Sequence, residues 1–161
     1  MLLDKVLKLG NPRLHEISLP VEKNELTLMK PVVVELHDIL MEFRSLYNAG
    51  RAIAAPQIGV LKRLIYLHID KPVMIINPEL FDKSSEMIEI WDDCLCFPDL
   101  FVRVYRHQSC KIRFYDQNWN MQEWQLSNAL SELLQHEYDH LDGILATQRA
   151  IDDRSFRWRG E

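Results

Sequence analysis

Two histidines, His136 and His140, stand four residues apart in LLQHEYDHLDGIL (133–145), and Glu137 follows the first. Residues four apart on a helix share a face, so both imidazoles can reach one metal ion. The spacing is H-E-x-x-H, in which the glutamate beside the metal acts as general base. A polar surface helix is the plainer account of such a pattern. Leu130, Leu133, Leu134 and Leu141 argue against it, because they pack this helix into the core. Two core-facing histidines without a partner would be costly there. A catalytic metal usually takes three protein ligands and keeps one open position. The third can come from His15, His37, His68, His107, a carboxylate or a cysteine. Cys94 stands out in WDDCLCFPDL (91–100), directly after a strand-like run, where a loop can present it. Two small buried residues is the equal alternative for Cys94 and Cys96.

A third segment, NAGRAIAAPQIGV (48–60), has the glycine and small residues that let backbone approach a ligand closely. Gln57 adds an amide donor and acceptor. By itself the stretch also reads as a loop and an edge strand.

The elements that must position these residues follow from periodicity. Residues 10–26 are loop-like, punctuated by Gly10, Pro12, Pro20 and Asn24. A helix is expected from Leu28 to Tyr47, with Pro31 in its first turn and Val32, Leu36, Ile39, Leu40 and Phe43 as its apolar stripe. Asn48 and Gly50 stop it. Short β-branched or alternating runs at 63–69, 73–80 and 86–91 read as strands. A long alternation over 103–116 reads as one more, turned by QNWN (117–120) into a returning strand at 121–127. A second helix, 128–141, is capped by Ser127 or Asn128 and closed by Gly143. The order is an α+β domain, antiparallel strands around a central metal-binding helix with an N-terminal helix, in one domain over 1–161. The polar tail, about 148–161, carries no firm structural signal.

The chain has 161 residues, 47% hydrophobic and 27% charged, enough for a self-sufficient core. A net charge of −5 speaks against a general nucleic-acid binder, and no DNA specificity is expected. Three cysteines are too few for a disulfide framework and suit a reducing compartment. No run approaches membrane-spanning length, and MLLDKVLKLGNPRL lacks the apolar core of a signal peptide. The expected location is cytoplasmic, or an organelle matrix in a eukaryote.

Taken together, the three segments resemble the peptide deformylase family, which carries G-x-G-x-A-A-x-Q, E-G-C-L-S and H-E-x-D-H in that order. Here they read GRAIAAPQ (50–57), DDCLC (92–96) and HEYDH (136–140). GNPRL (10–14) and INPEL (76–80) extend the resemblance over most of the chain. It implies one divalent metal held by Cys94, His136 and His140, with Fe²⁺ favoured and Zn²⁺, Ni²⁺ or Co²⁺ possible. Glu137 would carry the proton, and Gln57 with the Leu95 N–H would hold the oxyanion of an N-formyl peptide substrate. Asp139 would hold the helix and its histidines in register.

Five departures mark the pocket. Ala52 replaces a glycine, so a methyl is added beside the substrate path. Asp92 replaces the glutamate, with a shorter reach toward Arg106. Asp93 replaces a glycine, and Cys96 a serine. Glu132 sits where relatives have an apolar residue lining the methionine pocket. Gly50, Arg51, Ala52, Asp93, Glu132 and Leu133 are therefore the expected substrate-binding residues, with Arg51 and Glu132 meeting across the entrance. The rival readings are a metal amidase acting on another N-acyl group or a non-methionine substrate, a metal-stabilised binding module, and a zinc protease. Intact Glu137 and Gln57 oppose the binding module, because a structural site needs neither. Arg149, Arg154, Arg157 and Arg159 crowd the tail and suggest a weak ribosome contact; a solvated, frayed terminus is the plainer reading.

Overall fold

A computed structural model describes residues 1–160. Helix α1 spans Leu26–Tyr47, after a 3₁₀ turn at Lys23–Glu25. It starts earlier than the periodicity indicates, because Leu26 and Met29 also pack on the core. Pro31 therefore falls in the second turn rather than the first. The stripe of Leu36, Ile39, Leu40 and Phe43 is fully buried, and Asn48 ends the helix in a left-handed conformation (φ 52°).

Five strands form one antiparallel sheet in the order β1 (Ala52–Ala54), β2 (Leu64–His68), β3 (Pro72–Phe81), β6 (Ser109–Tyr115) and β7 (Met121–Ser127). Strand β2 is apolar on both faces because both are covered. Leu64 and Tyr66 join α1 and Ile53 in one cluster, while Ile65 and Leu67 join Ala52, Ala54, Leu133 and Leu134 in another. The second sheet pairs β4 (Met87–Asp92), β5 (Leu100–His107) and β8 (Phe156–Trp158), also antiparallel. Helix α2 (Asn128–Leu141) packs against strands of both sheets, so the fold is α+β with the histidine helix at its centre.

Three expectations need correction. The alternation over 103–116 is two strands, β5 and β6, in different sheets. Alternation reports a pleat but not which partner a strand has. The break follows His107, whose N–H donates to Gln135 Oε1 (2.9 Å) and whose carbonyl accepts from Gln135 Nε2 (2.8 Å) and Ser131 Oγ (2.9 Å). The tail is also ordered. A 3₁₀ turn (Ala146–Arg149), a bridge from Ala150 to Val104, and β8 on the edge of β5 dock it. Its exposed side chains look like a free terminus, while its backbone completes a sheet. Finally, Ser127 is the N-cap of α2, but neither it nor Asn128 caps through its side chain.

Candidate metal centre

The centre of α2 is polar and buried: Gln135, His136, Glu137, Asp139 and His140 are each at most 7% exposed. Buried polar groups are normally hydrogen-bonded. Gly143 terminates it at φ 73°, where a side chain would strike the His15 carbonyl at 2.4 Å. His140 Nε2 lies 3.2 Å from His136 Nε2 and 3.3 Å from Cys94 Sγ. The three donor atoms fall within 4.8 Å of one another. Cys94 arrives on the loop that leaves β4. The other histidines have partners elsewhere: His15 at Gly143 O, His37 at Tyr66, His68 at Arg44 and His107 at Ser84 O.

His136 Nδ1 donates to Asp92 Oδ2 at 2.8 Å, which fixes the ring and turns Nε2 toward the cluster. Asp92 also accepts from Arg106 Nη2 (2.9 Å); Arg106 Nη1 reaches Asp139 (2.7 Å), and Arg149 binds both oxygens of Asp139 (2.6 and 2.9 Å). Burial opposes charge on Asp92, but His136 and Arg106 outweigh it and hold the carboxyl at about 2. Burial likewise lowers His136, yet Asp92 raises the ring to about 9. Burial, then the charge of His136, pushes His140 well below its ordinary value. Burial also pushes the Cys94 thiol well up. Two nitrogens and a sulfur facing each other cannot all be answered by one proton. A divalent cation answers all three, and a thiolate with two imidazoles suits Fe²⁺, Zn²⁺ or Co²⁺. The residues fit a metal.

Beside them Glu137 is 3% exposed, and its Oε2 has no hydrogen-bond partner among the described residues. Burial raises its carboxyl to about 7, against the pull of His136. Gln57 is held by Ala54 N–H donating to its Oε1 (2.8 Å), which aims Nε2 at Cys94 Sγ and Cys96 Sγ, both at 3.5 Å. The Leu95 N–H has no acceptor among the described residues.

A narrow pocket of about 40 Å³ opens on these groups, room for a few waters. Gly50, Arg51, Ala52, Asp93, Leu95 and Leu133 line it together with Gln57, Cys94, His136 and Glu137. Gly50 permits the approach: at φ 108°, a side chain would meet Phe43 at 2.9 Å. Asp93 is not in a left-handed conformation, so it replaces glycine there without that strain. Glu132 does not line the pocket; its side chain, 12% exposed, accepts from Arg51 Nη2 at 2.8 Å and so holds that wall. Burial raises its carboxyl, opposed by Arg51.

Sequence reasoning missed Phe43 as a pocket residue, since it belongs to the core stripe of α1. It also missed Asp92 as the partner of His136, and Arg149 as the partner of Asp139. In sequence, Arg149 reads as part of the polar tail.

A family model described as polypeptide deformylase matches residues 3–155. The chain is 35% identical over 122 residues to the peptide deformylase of Rickettsia typhi, covering 68% of each chain. It is 32% identical over 155 residues to peptide deformylase 2 of Nostoc sp., covering 89% of this chain and 84% of that one. The crystal structure of peptide deformylase from Thermotoga maritima superposes with a TM-score of 0.82 at 28% identity, covering 91% of this chain and 97% of that one.

Proposed function

Since the chain belongs to the polypeptide deformylase family, we propose that Cys94, His136 and His140 hold its metal, that Glu137 moves the proton, and that Gln57 and Leu95 stabilise the oxyanion. The enzyme is a metallohydrolase that removes the N-formyl group from nascent polypeptides. The observation that carries the residue assignment is the buried, unpartnered Glu137 Oε2 beside the three-donor cluster. A divalent metal there supplies Lewis acidity and brings the pKa of a water nucleophile near neutrality. Glu137 takes the water proton at Oε2 while the water oxygen attacks the formyl carbon. The free Leu95 N–H and Gln57 Nε2 donate to the oxyanion, each such donor being worth about 10²–10³ in rate. Glu137 then returns its proton to the amine nitrogen as the C–N bond breaks, leaving formate and a free N-terminus. Fe²⁺ is the metal we assign, as the deformylase resemblance implies, and one thiolate with two imidazoles is a donor set that accepts it.

Formate release by anaerobically prepared Fe²⁺ protein tests this. N-formyl-Met peptides should release formate, while N-acetyl-Met peptides and unblocked peptides should not react. Faster cleavage of the acetyl peptide would favour an amidase for another acyl group and overturn the formyl reading.

The Arg51–Glu132 pair supports a more polar, narrower pocket for the first side chain. Weaker use of formyl-Met peptides follows, with relative gain for small or polar first residues. Glu132→Ile, which releases Arg51 from the pocket wall, should shift the ratio of kcat/KM for formyl-Met over formyl-Ser substrates toward methionine by about 1 kcal/mol, the low end of what a pocket change is worth, because the effect reaches the substrate through Arg51. An unmoved ratio would remove Glu132 from specificity.

No helix among the described residues is long and apolar enough to cross a membrane; a cytoplasmic or matrix location remains our reading from the cysteine usage. Of the tail arginines, Arg149 and Arg159 are held by Asp139 and Asp93, and Arg157 lies over the Trp91 ring (4.4 Å), which leaves chiefly Arg154 for weak attraction to ribosomal RNA.

A further inference from the structure

The loop that presents Cys94 and the Leu95 N–H joins β4 to β5 over residues 93–99. Its backbone is held by Phe97 N–H to Cys94 O (3.1 Å), a long contact of Cys96 N–H to Cys94 Sγ (3.5 Å), Leu9 N–H to Cys96 O (3.0 Å), and Leu100 N–H to Phe97 O (3.1 Å) at its end. A side chain from the far end of the sequence spans it. Arg159 Nη2 donates to Asp93 Oδ2 at 2.6 Å, and Nε donates to Pro98 O at 2.7 Å. The Arg159 backbone N–H donates to Asp99 O at 2.7 Å. The guanidinium also lies 4.6 Å from the Phe101 ring centroid and 5.3 Å from that of Tyr47. Strand β8 delivers it there through the pairing of Trp158 with Leu100.

We propose that Arg159 is a positioning residue that clamps both ends of the Cys94 loop, with Asp93 as its handle. Asp93 stands where the deformylase motif has glycine, and Arg159 supplies what that replacement requires. A carboxylate next to a thiolate ligand repels it; a guanidinium bonded to that carboxylate cancels the repulsion. Arginine suits this because its planar fork serves two acceptors from one rigid group, which lysine cannot do. Aromatic faces on Phe101 and Tyr47 restrict the guanidinium further. The docked C-terminal strand thereby becomes part of the machinery that sets Cys94 and Leu95.

The activity arm of the test rests on the deformylase reading; the exchange arm does not. In metal-free protein, Arg159→Gln should speed amide hydrogen exchange across residues 93–99 about tenfold, with α2 exchange unchanged as the control for global folding. In Fe²⁺ protein the same substitution should lower kcat for formyl peptides about tenfold, with KM moving less than about twofold, since hydrogen bonds between charged groups are the strong ones and this pair is partly exposed. In an Asp93→Gly background the further effect of Arg159→Gln on kcat should be clearly smaller than in the wild-type background, because the Asp93 contact is already gone and only the Pro98 O contact is left to lose. Unchanged exchange across 93–99 would overturn the clamp, whatever the activity. Equal kcat losses in the two backgrounds would overturn Asp93 as its handle. A protein that releases formate from no substrate would refute the functional reading, while the exchange result would still decide the clamp.

Discussion

Glu137→Gln is expected to lower turnover by about 10²–10⁴ while leaving the fold and metal content nearly unchanged. The amide keeps the size of the carboxylate and an acceptor oxygen, but it cannot take a proton. The other groups in the pocket are committed: Asp93 accepts from Arg159, and Asp92 from His136 and Arg106. Gln57 is an amide fixed by Ala54, and His136 is committed to Asp92 through Nδ1. The native carboxylate is 3% exposed, with one oxygen free of hydrogen bonds and its pKa raised by burial to about 7. A raised value makes the group a better proton carrier near neutral pH. Kinetics of the metal-loaded variant check this, with metal content measured on the same sample. Wild-type turnover would make Glu137 a structural residue only.

Arg106→Met should be the most destabilising substitution in the site, by about 3–5 kcal/mol, the cost of breaking a buried ionic group by removing one partner. Arg106 is 3% exposed and bridges two carboxylates that are themselves buried, Asp92 at 2.9 Å and Asp139 at 2.7 Å. Methionine fills much of the volume but leaves Asp92 and Asp139 with less compensation. Arg149 still holds Asp139, so the larger loss falls on Asp92 and through it on His136. The pH dependence has a definite sign. The Asp92 carboxyl sits at about 2 in the folded protein against 3.8 for the free group. Its stabilisation is therefore full above about pH 4 and is lost as pH falls toward 2. Without Arg106 the folded value rises toward 3.8, so this acid-dependent loss should be smaller and complete at a higher pH, while its onset stays at about pH 4. Urea unfolding from pH 7 down to pH 3 measures both effects. A midpoint within error of the wild type at pH 7 would mean that the Arg106 bridge contributes nothing to stability.

The sequence by itself determined whatever depends on near neighbours. His136, Glu137 and His140 lie within five residues, and a helix of period 3.6 turns that spacing into a shared face. The apolar stripe of α1, most of the strands and the turn at 117–120 obey the same local logic. The resemblance of three ordered motifs gave Cys94 and Gln57, already candidates by type and place, their roles, and it made the Arg51–Glu132 contact legible across 81 positions by assigning both residues to one pocket. Tertiary structure alone decided how several other distant charges pair. Asp92 meets His136 across 44 positions, and Arg159 meets Asp93 across 66. A charged residue reads the same in sequence whether it is solvated or bonded, since no periodicity marks its partner. The tail illustrates the point: four arginines among polar residues look like a frayed end, yet β8 pairs through its backbone, which every sequence possesses. The split of 103–116 has the same cause. Alternation specifies that a strand forms, but the long-range closure of two sheets around α2 specifies which neighbour it finds.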